Sequence, residues 1–441
     1  MSVLRLNARL LVASGLLIIS AGASPGLAAT RAADGTARVR ATDGLPGNPV
    51  TAYVVSNNSG TVTPIATAAG TAGPPIFVGS LPYAITITPD GKTVYVTVRG
   101  DQSSSGSITP ITTATSAAGL PIPVGINPVA IAVTPDGRTA YVANETSGTV
   151  TPIATVTNTA GPPIPVGRSP LDIAVTPDGK TAYVANPGSG TVTPIATVTN
   201  TAGPPIATGS QPYVIAITPD GRTAYVANAG SGTVTPITTA TNTAGPPIAT
   251  GSLPDAIAIT PDGRTAYVAN DIAGTVTPIT TATNTAGPPI PVGLYPARIA
   301  ITPDGRTAYV TNEGSASVTP ITTATNTAGP PIPVGQDPFI IAITPDGRTA
   351  YVTNAGSASV TPITTATNTA GPPIPVGNDP YAIVITPASA LQCRSEPITA
   401  HCRPPGECHH RLRFLCRHGA VAAGTLGRPS ARCNRCPRQR N

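Results

Sequence analysis

Between residues 51 and 387 the chain has no cysteine, no histidine and no tryptophan, and its only lysines there are Lys92 and Lys180. Each absence removes a class of chemistry. Without His or Cys this segment cannot build a His-assisted Ser or Cys nucleophile, a His-ligated zinc or a His-ligated haem. Carboxylate, Arg and Tyr chemistry remain. No cofactor and no metal are expected. Aromatics make up 3% of the chain, while 40% is apolar. Val, Ile and Thr dominate, which suits pleated, half-buried surfaces. Helix has no support, because Pro and Gly interrupt every window of about ten residues that a helix would need.

Long apolar runs are also scarce. The run from Leu10 to Ile19 falls well short of the roughly 20 apolar residues a spanning helix needs. It follows Arg5 and Arg9 and leads into small residues ending at Gly26-Leu27-Ala28. That is the three-part pattern of a secretory signal over residues 1–29, with cleavage near Ala28 or Ala29. No Cys follows it to carry a lipid anchor. The mature chain is expected to be secreted or held at the cell surface with no membrane span, and polar, Gly-rich residues 30–50 read as a flexible leader. The formal charge of +6 sits at the ends: residues after Ala390 carry ten Arg against Glu396 and Glu407. The body is mildly acidic, so a nucleic-acid partner is not expected.

What the chain has is repetition. TPDG begins at Thr88, Thr134, Thr176, Thr218, Thr260, Thr302 and Thr344, first 46 residues apart and then 42, with a broken copy at Thr386. This period fits one four-stranded propeller blade. In the unit from Pro296 to Asp337, Ala297–Thr302 is a first strand, Pro303–Arg306 a turn and Thr307–Asn312 a second strand. Ser317–Thr325 is expected as the third strand, Asn326–Gly329 as a turn, and Pro331–Val334 as a short edge strand. Residues 52–80 supply strands two to four of a unit whose first strand is Pro380–Thr386. The expectation is an all-β, eight-bladed β-propeller over residues 51–387, closed by pairing its termini. Seven blades are the alternative if the split unit stays open. One Tyr per second strand, from Tyr53 to Tyr351, supports eight.

The motif PDGR-x-x-YVTN stands intact at 303–312 and 345–354, and as YVAN in four other units. On these residues the chain resembles the YVTN family of β-propeller repeat proteins. The resemblance implies a propeller at or outside the cell surface. Its members range from surface-layer and adhesion-like proteins to lactonase-like relatives, so it leaves activity open.

The aspartates of the PDG turns are read as turn chemistry, with the carboxylate accepting local backbone N–H bonds. Comparison of the copies is more informative. The PDGR and TNTAG turns barely change, whereas the connections before the first strand and after the second do. Alternate turns of an up-and-down blade lie on opposite faces, so one face is uniform and the other variable. Tyr83, Arg168, Asp172, Tyr213, Asp255, Tyr295, Arg298, Asp337, Phe339, Asp379 and Tyr381 are the candidate ligand-binding residues of the variable face. Its tyrosines are expected to be exposed among charges, as on recognition surfaces; neutral drift in loops is the competing explanation. Glu145, Asp271 and Glu313 are expected further out, with Arg99, Asp101 and Pro187 on the same connections. No compact D-x-D-x-D spacing supports calcium.

At Ala388 the repeat stops in mid-motif. Residues 388–441 hold all six Cys and all four His. Zinc at Cys433-x-x-Cys436 with Cys402 and Cys408, or disulfides, are two readings; the favoured one is a disordered product of a shifted reading frame. The functional expectation is an exported, monomeric, non-catalytic scaffold whose variable face holds a surface protein, glycan or cell-wall component. The alternative is a lactonase-like or other hydrolytic propeller, favoured if Arg168, Asp172, Asp255 and Arg298 converge on one deep polar cavity.

Overall fold

A computed structural model describes residues 50–388 except Gln102, and the backbone of five short strands between Cys393 and Thr425. The expected signal peptide and leader lie outside the described residues. Residues 50–388 form one compact unit, an eight-bladed β-propeller. In the second unit, Cys393–Pro397, Arg411–Cys416 and Val421–Thr425 make a three-stranded sheet, and His401–Arg403 pairs with Glu407–His409.

Blade 1 is the split one: Thr51–Ser56 pairs on one side with Thr61–Ala66 and on the other with Pro380–Ile385. The closing register sets Ala52 opposite Ile385 and Val54 opposite Ile383. Blades 2–8 follow in chain order.

Blade 7 shows why the repeat folds as it does. Its inner strand Pro296–Ile301 and second strand Thr307–Asn312 pair antiparallel. Thr302 Oγ donates to Asp304 Oδ1 at 2.6 Å, and that oxygen also accepts the Arg306 N–H at 3.0 Å. Gly305 adopts φ +73°, where a Cβ would lie 3.3 Å from Pro261 of the preceding blade. The PDG turn is thus a local hydrogen-bonded turn that also packs against its neighbour. The Asp–Lys and Asp–Arg pairs beside it are highly exposed, so each contributes at most about 1 kcal/mol.

The outer part of the blade differs from expectation. The third strand ends at Thr322, not Thr325. The edge strand is two short pieces, Thr327–Ala328 and Ile332–Pro333, both pairing with the third strand. Pro330 and Pro331 lack an N–H and interrupt the ladder, so Thr327 and Ala328, expected in a turn, already pair. The turn comes earlier, and Asn326 closes it at φ +53°. A broken, proline-bearing outer strand also blunts the sheet edge.

The core lies between blades. The cluster between blades 3 and 4 joins Tyr141, Ala143 and Val150 to Ile173, Val175, Val184 and Ile195. Each second-strand Tyr is buried and donates its hydroxyl to the next blade. Tyr309 donates to Asn368 Oδ1 at 2.6 Å, with the Thr365 carbonyl at 3.2 Å. Tyr95, Tyr141, Tyr183, Tyr225 and Tyr267 meet the equivalent Asn in the same way. Where that Asn position is Gly70 or Ser116, Tyr351 and Tyr53 reach only the carbonyls of Thr67 and Thr113. The second-strand Asn is used internally: Asn312 Nδ2 donates to Thr319 Oγ at 2.9 Å, and its Oδ1 accepts the Gly293 N–H at 3.1 Å. A Cβ on Gly293 would sit 2.6 Å from Asn312, so this glycine is required by close approach.

Removing the hydroxyl in Tyr183→Phe leaves Asn242 Oδ1 without its donor and is expected to lower stability by about 1–2 kcal/mol. Tyr351→Phe, which loses only a main-chain bond, should cost less. Equal shifts of the urea midpoint would show that the Tyr–Asn bond adds nothing.

Candidate functional site

The residue before each inner-strand proline has positive φ. These residues are Leu81, Asn127, Ser169, Gln211, Leu253, Tyr295, Asp337 and Asp379, with φ between 51° and 57°. None is Gly and none is β-branched, so the backbone is held in a conformation that costs an ordinary residue about 1 kcal/mol or more. What holds it is visible in the main chain. The carbonyl of Tyr295 accepts the Glu313 N–H at 3.0 Å, and Asn127 pairs in this way with Glu145, Leu253 with Asp271, Asp337 with Ala355, and Asp379 with Asn57. The two variable connections of a blade are therefore bonded side by side.

Inside this rim, the residues just after the prolines converge on the axis. The Tyr83 and Tyr381 rings lie 4.7 Å apart, and the Tyr381 and Phe339 rings 4.8 Å apart. An arginine caps each end of the stack: Arg99 lies 4.5 Å over Tyr83, and Arg298 lies 4.9 Å from the Phe339 centroid. Each contact of this kind contributes roughly 0.5–2 kcal/mol. Arg298 Nη1 pairs with Asp255 Oδ2 at 3.3 Å and donates to the Ala297 carbonyl at 2.7 Å. Arg99 Nε donates to Asn127 Oδ1, and Asn127 Nδ2 donates to Glu145 Oε2 at 2.6 Å. An arc of side chains from blades 3, 2, 1, 8, 7 and 6 thus lines the axis below the variable face.

Electrostatics make Arg298 the hub. Burial acts to lower its pKa, but Asp255 and the phenols of Tyr381, Tyr213 and Tyr83 outweigh that and hold it above its ordinary value. Burial pushes the Tyr83 phenol up to about 12. Asp172 is 1% exposed; its Oδ2 accepts the Ile215 N–H at 2.8 Å, and its Oδ1 meets no hydrogen-bond donor among the described residues. Burial pushes both Asp172 and Asp255 up to about 6.

The structure divides the predicted residues into two groups. Tyr83, Asp172, Tyr213, Arg298 and Phe339 are buried at the axis, with Asp255 and Tyr381 half-buried beside them. Arg168, Tyr295 and Asp337 are exposed on the rim, with Asp379 half-buried. Exposure of the tyrosines is corrected for Tyr83, Tyr213 and Tyr381: eight inner strands crowd the axis, and their aromatic rings pack on one another there. Only Tyr295, one residue outside its proline, stands in solvent, at 38% exposure. Asp337 and Asp379, placed near the axis from sequence, occupy the same outer position. Two axial residues escaped the sequence reading as site residues. Arg99 turns inward from the connection that carries the four extra residues of blade 2, and Asn127 bridges it to Glu145; that insertion was the available signal. No group of three His, Cys, Asp or Glu among the described residues could hold a metal ion.

Comparison with known proteins adds the following. Residues 47–163 match the sequence profile of a family described as lactonase, 7-bladed beta-propeller. No curated protein sequence matches the chain. Among solved structures, Kuenenia stuttgartiensis hydrazine synthase is similar with TM-score 0.53 and 27% identity, over 65% of this chain and 96% of that one. Dihydro-heme d1 dehydrogenase NirN is similar with TM-score 0.65 and 15% identity, over 76% and 74%. A candidate 6-phosphogluconolactonase from Bacteroides fragilis is similar with TM-score 0.53 and 20% identity, over 77% and 99%. These likenesses agree on the propeller fold; residues 47–163 are similar to the lactonase profile, which is described as seven-bladed where this chain has eight blades.

Arg298→Met leaves the half-buried Asp255 carboxylate without its cation and is expected to lower stability at pH 7, by less than the roughly 3–5 kcal/mol of a fully buried pair. The double variant Arg298→Met/Asp255→Leu should recover most of that loss in chemical denaturation; equal losses would show that the pair is not coupled.

The pH dependence has two limbs. Asp172 and Asp255 hold protons in the folded chain that the unfolded chain has released, so stability falls as pH rises from about 4 to about 6 and then levels. In the turns, hydrogen bonds from Thr and from backbone N–H groups lower the pKa of Asp136, Asp178, Asp220, Asp262 and Asp304. Their contribution is lost as pH falls below the ordinary carboxylate range. The thermal midpoint is expected to peak near pH 4–5, and Asp172→Asn should flatten the decline above it. A midpoint that climbs steadily to pH 7 contradicts this assignment.

Proposed function

We propose that this protein is an exported, non-catalytic recognition scaffold that meets its partner with the variable face of the propeller. The observation that carries this reading is the division of labour on that face. Most of the reactive groups at the axis are engaged in internal contacts, Arg298 with Asp255 and Phe339, Arg99 with Tyr83 and Asn127, and Tyr381 with Tyr83 through a 3.2 Å hydroxyl contact; the exception is Asp172 Oδ1, which meets no donor among the described residues. Asp255 and Arg298 pair, but the Asp172 carboxylate is bonded to the Ile215 N–H, and Arg168 stands exposed on the rim. The arrangement expected of a hydrolytic pocket is therefore incomplete.

The chemistry left to solvent differs from blade to blade. Arg168, Leu294, Tyr295, Gln336, Asp337 and Asn378 are exposed side chains on loops whose backbone is bonded to the neighbouring connection. A surface pre-ordered in this way loses little entropy on binding. The secretory-type N-terminus supports a location outside the cytoplasm, where surface proteins and cell-wall components are the available partners. The lactonase-like match supports the second reading, hydrolysis at the axis, and the same experiment tests it.

The full chain and the variant Arg168→Ala/Tyr295→Ser/Asp337→Ala are to be measured against a panel of surface proteins and cell-wall glycans, and for hydrolysis of simple lactones. Binding weakened at least tenfold in the variant, with no lactone turnover, is the expected result. Turnover abolished by Arg298→Lys and unaffected by the rim changes would replace the scaffold with an enzyme.

A further inference from the structure

The two faces of the propeller differ in charge. Residues 51–387 carry ten basic and fifteen acidic side chains, a net charge of −5. Seven of each sign belong to the PDG turns, from Asp90 and Lys92 to Asp346 and Arg348, so the uniform face is neutral. The whole excess lies on the variable face, where Asp101, Glu145, Asp172, Asp255, Asp271, Glu313, Asp337 and Asp379 stand against Arg99, Arg168 and Arg298. Arg99 and Arg298 are buried, leaving Arg168 as the exposed cation of that face.

The same face carries an apolar patch. Ile272 is 59% exposed and Leu294 62% exposed, with Tyr295 beside Leu294. Ile272 and Leu294 lie on adjoining connections of blades 6 and 7, tied by the bond from Val292 N–H to the Gly274 carbonyl at 3.0 Å. Asp271 precedes Ile272 in the chain, Glu313 is bonded through its N–H to Tyr295, and Asp337 occupies the equivalent rim position of the next blade. Among the described residues, a further large exposed side chain near this face is Phe77, 70% exposed beside Gly60 of blade 1. Beneath this face, the buried Asp172 carboxylate accepts the Ile215 N–H on Oδ2, while its Oδ1 meets no donor among the described residues.

Resting on the recognition role proposed above, we infer that the partner of the variable face is a basic protein surface with an apolar anchor, docking on Ile272, Leu294 and Tyr295 within the carboxylates Asp271, Glu313 and Asp337. Charge complementarity selects the class: a negatively charged face repels anionic glycans and acidic proteins, and steers a cationic chain toward it. The exposed Ile, Leu and Tyr supply the apolar centre, and the acids form the rim, the usual anatomy of a protein interface.

The test uses the full chain, with a synthetic amphipathic peptide of lysine and leucine, poly-L-lysine and poly-L-glutamate as probes, in 50 and 300 mM salt. The peptide should bind more tightly than poly-L-lysine, weaken at least tenfold at high salt, and compete with any natural ligand found for this face; poly-L-glutamate should not bind. Asp271→Asn/Glu313→Gln/Asp337→Asn should weaken both cationic probes at least tenfold, and Leu294→Ser/Ile272→Ser only the peptide. Asp220→Asn/Asp304→Asn, on the neutral face, should change neither, which separates the site from general attraction. Cationic binding insensitive to the rim variants, or tighter binding of poly-L-glutamate, overturns the inference. A natural ligand that is neutral or anionic yet lost with Arg168, Tyr295 and Asp337 would overturn the partner class while leaving the recognition role standing.

Discussion

The structure depends on one pairing, the seam between Thr51–Ser56 and Pro380–Ile385. These strands lie more than 320 residues apart in sequence, so the seam forms against a large loss of chain entropy. It is worth forming because every blade buries both faces only against neighbours, and an open ring would expose two apolar sheets. The seam is reinforced away from its own ladder. Tyr351 reaches forward to the Thr67 carbonyl and Tyr53 to Thr113, so the hydroxyl contacts between blades continue through the split blade without a gap.

Closure and the axial site are one event. Tyr381 belongs to the closing strand, and its ring sits between Tyr83 of blade 2 and Phe339 of blade 8. Until the C-terminal strand is in place, the stack has no middle member, and the arginines at its ends cap separate rings. The same crowding that packs these aromatics also desolvates Asp172 and Asp255, which is why carboxylates of the same type are pushed up at the axis and held down in the turns.

The two faces follow from the alternation of turns. Each PDG turn spends its carboxylate on a Thr hydroxyl and a backbone N–H and packs its glycine on the preceding blade, so little can change there. The opposite connections are held by main-chain bonds, from the carbonyl of the residue before the proline to the N–H of the residue after the second strand. Their side chains take no part in those bonds and are free to differ in charge and size. The uniform face therefore serves stability, and the variable one can carry specificity.

By itself, the sequence determined the period and the strand and turn assignments of the inner blade, and led to the expectation of eight blades with paired ends; the closing seam decided eight against seven. The period and the assignments follow from local chemistry that recurs every 42 residues: Thr and Asp in the turn, β-branched residues in the strands, and one Tyr per blade. It also separated the uniform connections from the variable ones, because near-identical copies make differences visible. The outer strand was misjudged because two prolines decide where a ladder breaks only once a partner strand is beside them. Tertiary structure alone decided which variable residues face water. Tyr83 and Tyr295 are both rim tyrosines in the repeat pattern, yet one is buried and the other exposed, because they stand on opposite sides of the inner-strand proline and only the convergence of eight strands on one axis distinguishes those positions. Arg99 shows the same limit, since its guanidinium reaches Tyr83 across a neighbouring element and no spacing along the chain encodes that contact.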